Sequence, residues 1–280
     1  MNAPSADRLL ELLRGCVSAS HLPLGLQIHA RAIASGDLAS HPALQTRLIG
    51  MYVLARRFRD AVAVFSALPR RDAASALPWN WLIRGFTADG QHRLAVLFYL
   101  KMWSHPAAPR PDGHTLPYVV KSCATLGAVA LGRLVHRTAR GIGLGRDVYV
   151  GSALIKMYID AGLLRDAREV FDGMAERDCV LWNVMMDGCI KAGYIDGAVR
   201  LFRDMRASGC EPNFATLACF LSLCALEADL LSGVQLYSLA VKCGLETEVA
   251  VANTLLSSVY VCQMPVLGRC MEIVSPDSKG

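Results

Sequence analysis

Apolar and small residues recur along this chain in quartets spaced i, i+3, i+4 and i+7. They fall at Ala61, Val64, Phe65, Leu68; at Ala95, Phe98, Tyr99, Met102; at Ala167, Val170, Phe171, Met174; and at Ala198, Leu201, Phe202, Met205. A variant headed by glycine falls at Gly25, Ile28, His29, Ala32; at Gly132, Val135, His136, Ala139; and at Gly233, Leu236, Tyr237, Ala240. That spacing puts four side chains on one face of an α-helix. Another apolar segment of helical length precedes each quartet. Gly36, Gly90, Gly127, Gly162, Gly193, Gly209 and Gly244 stand where helices should end, because glycine enters the left-handed conformation that closes a helix.

The pattern predicts helical hairpins, with complete units over residues 6–41, 42–75, 76–112, 113–147, 148–178, 179–213 and 214–248 and an incomplete eighth from 249. Longer echoes reinforce the period. Leu48-Ile49-Gly50-Met51-Tyr52 returns as Leu154-Ile155-Lys156-Met157-Tyr158, Arg59-Asp60-Ala61 returns as Arg165-Asp166-Ala167, and Trp79-Asn80 returns as Trp182-Asn183. A single hairpin cannot cover its own apolar face, whereas stacked hairpins bury one another's faces and leave a long concave surface. The expectation is an all-α, right-handed superhelical solenoid forming one array over residues 1–280, with the first helices of the units lining the concave side.

Composition narrows the possibilities. An apolar fraction of 53% with 19% charged residues excludes a disordered chain. No uninterrupted apolar stretch approaches the length of a membrane span, so no membrane partner is expected. The ten cysteines include no Cys-x-x-Cys pair, which argues for reduced thiols and against a disulfide framework or a zinc site. Cys16, Cys123 and Cys224 recur about one hundred residues apart, as expected of one small buried slot used three times. Charge is uneven: residues 1–140 hold 17 Lys and Arg against 7 Asp and Glu, while residues 141–280 hold 12 against 17. The basic half suits either a polyanionic partner or a solvated surface.

At the level of single units the chain resembles a known family. Asp178-Cys179-Val180-Leu181-Trp182-Asn183, with Gly188, Lys191-Ala192-Gly193, Ala198, Leu201-Phe202, Met205, Gly209 and Glu211-Pro212-Asn213, is similar to a standard pentatricopeptide repeat. Gly25-Leu26-Gln27-Ile28-His29-Ala30 with Ser35-Gly36 resembles the long form of that repeat. Asp147-Val148-Tyr149-Val150-Gly151-Ser152-Ala153-Leu154-Ile155 resembles the short form. The order long, short, standard occurs twice and restarts, as in the plant organelle branch whose members mostly serve site-specific RNA editing.

The resemblance implies binding of single-stranded organelle RNA, one base per unit, through the fifth residue of a unit and its last. Carried over, the pairs are Thr46 with Asp72, Asn80 with Asp112, Ser152 with Asp178, and Asn183 with Asn213; Asn253 is the fifth residue of the eighth unit. Ala73-Ala74-Ser75 looks like an insertion beside Asp72. The long units carry Leu10, Pro117 and Ala218 at the fifth position, where no side chain can form a hydrogen bond. Asp112, Asp147, Asp178 and Asn213 also precede helices, so capping of free backbone amides is an alternative role for them. Asn80 and Asn183 sit inside predicted helices, where asparagine is a poor choice unless its side chain has a task. His29, His136, Trp79 and Trp182 fit packed aromatic positions better than metal binding or base stacking.

Editing members of the branch continue into an extension and often a deaminase-like domain, whose zinc chemistry needs His-x-Glu and Cys-x-x-Cys. Neither pattern occurs in these 280 residues. The chain is therefore expected not to be an enzyme, to need no cofactor or metal, and to rely on a protein partner for any catalytic step. The rival reading is a protein-binding helical-repeat scaffold, or a shortened product with little function. The family implies mitochondrion or chloroplast, although no separate transit peptide is visible ahead of the first unit.

Overall fold

The computed structural model describes residues 6–16, 21–68, 75–104, 108–213 and 215–216. Every regular element among them is helical: α1 (Ala6–Arg14), α2 (Leu22–Ala34), the single turn α3 (Asp37–Ser40), α4 (Pro42–Leu54), α5 (Phe58–Ser66), α6 (Ala76–Ala88), α7 (His92–Ser104), α8 (Leu116–Thr125), α9 (Val129–Gly141), α10 (Val148–Asp160), α11 (Leu164–Asp172), α12 (Cys179–Lys191) and α13 (Ile195–Ala207). The chain divides into two compact units, Met1–Ala161 and Gly162–Gly280.

In the first unit α1 pairs with α2, α4 with α5, α6 with α7 and α8 with α9. The first helices also stack on one another in order, α1 on α4, α4 on α6, α6 on α8 and α8 on α10. In the second unit α12 packs against both α11 and α13. These are the contacts of stacked helical hairpins.

The quartets face inward. Ala95, Phe98, Tyr99 and Met102 are all buried on α7, and Ala167, Val170 and Phe171 are buried on α11 with Met174 just beyond it. The two described glycine-headed quartets have a steric reason for their first residue. A Cβ at Gly25 would stand 2.7 Å from Met51 Sδ, and one at Gly132 would collide with Met157 Sδ. Met51 and Met157 are the same position of the Leu-Ile-x-Met-Tyr echo, so one helix crossing is built twice. The last quartet, from Gly233, lies outside the described residues.

Helix ends follow the glycine pattern. Gly162 has φ 72° and Gly193 has φ 71°, and Gly36, Gly90, Gly127 and Gly209 are likewise left-handed. The N–H three residues past the end of α12 returns to the helix, from Tyr194 to the Cys189 carbonyl at 2.8 Å, closing a Schellman turn. The exception is Arg56, which stands where the second copy has Gly162 and adopts φ 58°. Its guanidinium contacts Asp89.

Two cysteine expectations part company. Cys16 and Cys123 are buried as expected, and burial pushes the Cys123 thiol up to about 11; Cys224 lies outside the described residues. Cys179 and Cys210, however, meet in a disulfide arrangement with Cα atoms 6.3 Å apart, within the span such a bond requires. Both lie in the unit 179–213, Cys179 at the start of α12 and Cys210 just past α13, so the hairpin itself brings together two thiols that no local motif links.

Candidate nucleic-acid interface

Asn80 lies in the second turn of α6, and Asp112 lies in the connection from α7 to α8. Asp112 closes the entrance to α8. Its Oδ1 accepts from the backbone N–H groups of His114 and Thr115, each at 2.9 Å, and its own N–H donates to Thr115 Oγ1 at 3.1 Å. This reciprocal cap satisfies amides that the helix itself cannot. Asn80 reaches the same group from the neighbouring helix. Its Nδ2 donates to the Asp112 carboxylate at 3.0 and 3.1 Å, and the Thr115 hydroxyl donates to Asn80 Oδ1 at 2.6 Å. Burial works to raise the Asp112 pKa, but hydrogen bonds from Thr115, Asn80 and the amides of Thr115 and His114 outweigh it and hold the carboxyl below its usual range.

The second unit repeats the construction with one change. Asn183, on α12, is 8% exposed, and its Nδ2 donates to Asn213 Oδ1 at 3.0 Å. Thr216 Oγ1 donates to Asn183 Oδ1 at 2.7 Å. The backbone N–H of Thr216 donates to Asn213 Oδ1, and that of Asn213 donates to Thr216 Oγ1, both at 3.2 Å. An amide replaces the carboxylate, and among the described residues it accepts one backbone N–H where Asp112 accepts two; the asparagine–threonine connection is the same.

Capping and pairing thus coexist at Asp112 and Asn213. At Asp147 and Asp178 the carboxylate caps α10 and α12, accepting from Val150 N–H at 2.9 Å and Leu181 N–H at 2.8 Å. Ser152 is half-buried on α10 in the first unit, while its proposed partner Asp178 belongs to the second. Thr46 is buried on α4. Asp72 and Asn253 lie outside the described residues. Thr115 and Thr216, both fully buried, are the functional candidates that sequence reasoning missed. Their signal was the shared spacing Asp112-x-x-Thr115 and Asn213-x-x-Thr216.

The conspicuous aromatic residues pack. Trp79 and Trp182 are 3% and 4% exposed and meet Phe65 and Phe171 edge-on at 4.7 and 4.9 Å between ring centroids. His29 contacts Tyr52 edge-on, with Nδ1 2.7 Å from the phenol oxygen, and His136 meets Tyr158 in the same way at 3.0 Å. Desolvation lowers the His29 pKa despite the attraction of Asp60. Among the described residues no cluster of His, Cys, Asp and Glu could hold a metal ion, and no helix is long and apolar enough to cross a membrane.

Stacked helical hairpins with paired polar residues at their entrances define a helical-repeat solenoid. The particular family follows from comparison with known proteins. The PPR repeat family model matches residues 177–225 and the PPR repeat model residues 152–179. A chloroplastic pentatricopeptide repeat-containing protein of Arabidopsis thaliana is 33% identical over 245 residues, which is 88% of this chain and 45% of that protein. A mitochondrial one from the same plant is 32% identical over 251 residues, 90% of this chain and 32% of the relative. The crystal structure of the pentatricopeptide repeat protein PPR10 in complex with an 18-nt psaJ RNA element superposes with a TM-score of 0.71 at 16% identity, covering 98% of this chain and 41% of that one. The chain thus carries pentatricopeptide repeats over residues 152–225 and is similar along most of its length to pentatricopeptide repeat proteins, of which it spans less than half the length.

Proposed function

We propose that the chain binds single-stranded RNA in a mitochondrion or chloroplast, selecting bases through the paired residues at the ends of its repeats. The carrying observation is the double occurrence of one polar construction, Asn80 with Asp112 and Asn183 with Asn213, each joining the fifth residue of a unit to its last. A helical asparagine bonded to the cap of the next helix is held in one orientation. Held donors and acceptors can choose among the Watson–Crick edges of unpaired bases. The PPR10 neighbour, solved with an RNA element, supports the same reading.

By the family's correspondence, Asn with Asp favours uracil, Ser or Thr with Asp favours guanine, and Asn with Asn favours a pyrimidine. Units two to six then select G, U, any base, G and a pyrimidine, from Thr46 with Asp72, Asn80 with Asp112, the unselective long unit with Pro117, Ser152 with Asp178, and Asn183 with Asn213. In this reading the chain supplies recognition for organelle RNA processing, including C-to-U editing, and a protein partner supplies the reaction. Gel mobility shifts with RNA carrying this pattern, against RNAs changed at one base, test it. About 1–3 kcal/mol of discrimination is expected at each well-selected base. Equal binding of every RNA leaves only phosphate attraction, and no RNA binding returns the protein-scaffold reading.

A further inference from the structure

The threonine that completes each construction has no place in the two-residue correspondence, yet it decides which end of the asparagine amide faces the groove. An asparagine carries an acceptor oxygen and a donor NH2 group of almost the same shape, so its orientation is set only by its neighbours. In both units a buried threonine hydroxyl accepts a backbone N–H and directs its single proton to the asparagine Oδ1, at 2.6 Å from Thr115 and 2.7 Å from Thr216, nearer than the competing acceptors Asp112 Oδ1 and Asn213 Oδ1 at 2.9 and 3.2 Å. With Oδ1 engaged, one Nδ2 hydrogen goes to the last residue of the unit and the other is left to project as a donor.

We propose that Thr115 and Thr216 are positioning residues that fix the Asn80 and Asn183 amides with Oδ1 turned inward, so that each asparagine presents an N–H donor to the base. This rests on the base-selecting reading above. A fixed donor suits the carbonyl oxygens of uracil and cytosine, which an Oδ1 presented in its place would repel.

The two threonines carry unequal shares. Asp112 can only accept, so its carboxylate already selects the Asn80 Nδ2 as its partner, and Thr115 tightens an orientation that would persist without it. Asn213 is an amide that could present either end. The backbone N–H of Thr216 holds Asn213 Oδ1, and the Thr216 hydroxyl holds Asn183 Oδ1; without that hydroxyl a single neutral bond from the Thr216 N–H is left to keep Asn213, and Asn183 with it, from turning over.

The test measures affinity of the full chain for RNAs differing at the base opposite each asparagine, using Thr115→Val, Thr216→Val and the corresponding serine substitutions. Thr216→Val should lower pyrimidine-over-purine discrimination at its own position by about tenfold, the effect of one oriented hydrogen bond. Thr115→Val should lower it by only about two- to threefold. Serine should restore both, and in each valine protein discrimination at the other asparagine's position should persist, which shows that the array is folded. A second variant guards against loss of structure: Asn213→Asp added to Thr216→Val supplies an obligate acceptor and should recover discrimination. If Thr216→Val discriminates as well as the unsubstituted chain, the threonine proposal falls while base selection stands. If the unsubstituted chain discriminates at neither position, base selection falls and takes this proposal with it.

Discussion

The construction around Asn80 in the first unit and that around Asn183 in the second share the asparagine–threonine connection and differ at the capping residue. Asp112 is an ionised carboxylate that can only accept, whereas Asn213 is neutral and can do either. The first is therefore oriented by charge and chemistry, the second by the network around it. One substitution in a repeat can thus change how rigidly a recognition group is held without changing the fold.

The largest expected effect follows from removing the group at the centre. Asp112→Ala deletes a double cap on α8 and leaves Asn80 and Thr115 without their acceptor, so a loss of about 2–3 kcal/mol is expected in denaturant unfolding. Asn213→Ala removes weaker, neutral bonds and should lose about 1 kcal/mol. Equal losses would show that the charge difference is immaterial.

Acid should separate the two regions next. A carboxyl whose folded pKa is depressed stabilises the fold fully above its unfolded value, about 3.9, and that stabilisation is lost as pH falls through the folded value. Asp112 is such a group, and Asn213 does not titrate. Melting temperature measured from pH 6 down to pH 3 should fall less steeply in Asp112→Asn than in the unsubstituted chain. The same substitution turns the first construction into a copy of the second, so its preference should widen from uracil to either pyrimidine. An unchanged acid profile would place the sensitivity elsewhere.

A smaller contrast lies at the helix ends. Arg56 holds a left-handed conformation that Gly162 adopts freely at the equivalent place. Arg56→Gly should raise stability by up to about 1 kcal/mol, less whatever the exposed pairing with Asp89 contributes, and Gly162→Ala should lower it by about the same amount. Chemical denaturation of both variants checks the pair.

Much of this was legible in the sequence because repetition amplifies weak signals. One apolar quartet is ambiguous, but quartets returning through Ala61, Ala95, Ala167 and Ala198, with glycines between them, allow only stacked hairpins. The pairing of Asn80 with Asp112 was legible through family resemblance alone; composition offers no reason to join residues so far apart, and capping explained Asp112 equally well. Thr115 and Thr216 stayed hidden since a threonine before a helix is ordinary, and its importance depends on an asparagine from another helix. The contact of Cys179 with Cys210 was missed for a similar reason: the hairpin creates it across 31 residues, and no local cysteine motif marks it. The close packing of Met51 against Gly25 and of Met157 against Gly132 emerged only across the helix crossing.

The central claim is that paired residues select bases, and Asn80→Thr tests it most directly. Affinities of the unsubstituted and substituted chains should be compared for RNAs carrying U or G opposite that unit, at one fixed salt concentration so that phosphate attraction stays constant. The account expects the preference to move from uracil towards guanine while affinity for an unrelated RNA is unchanged. Equal affinity of both proteins for both RNAs would contradict it.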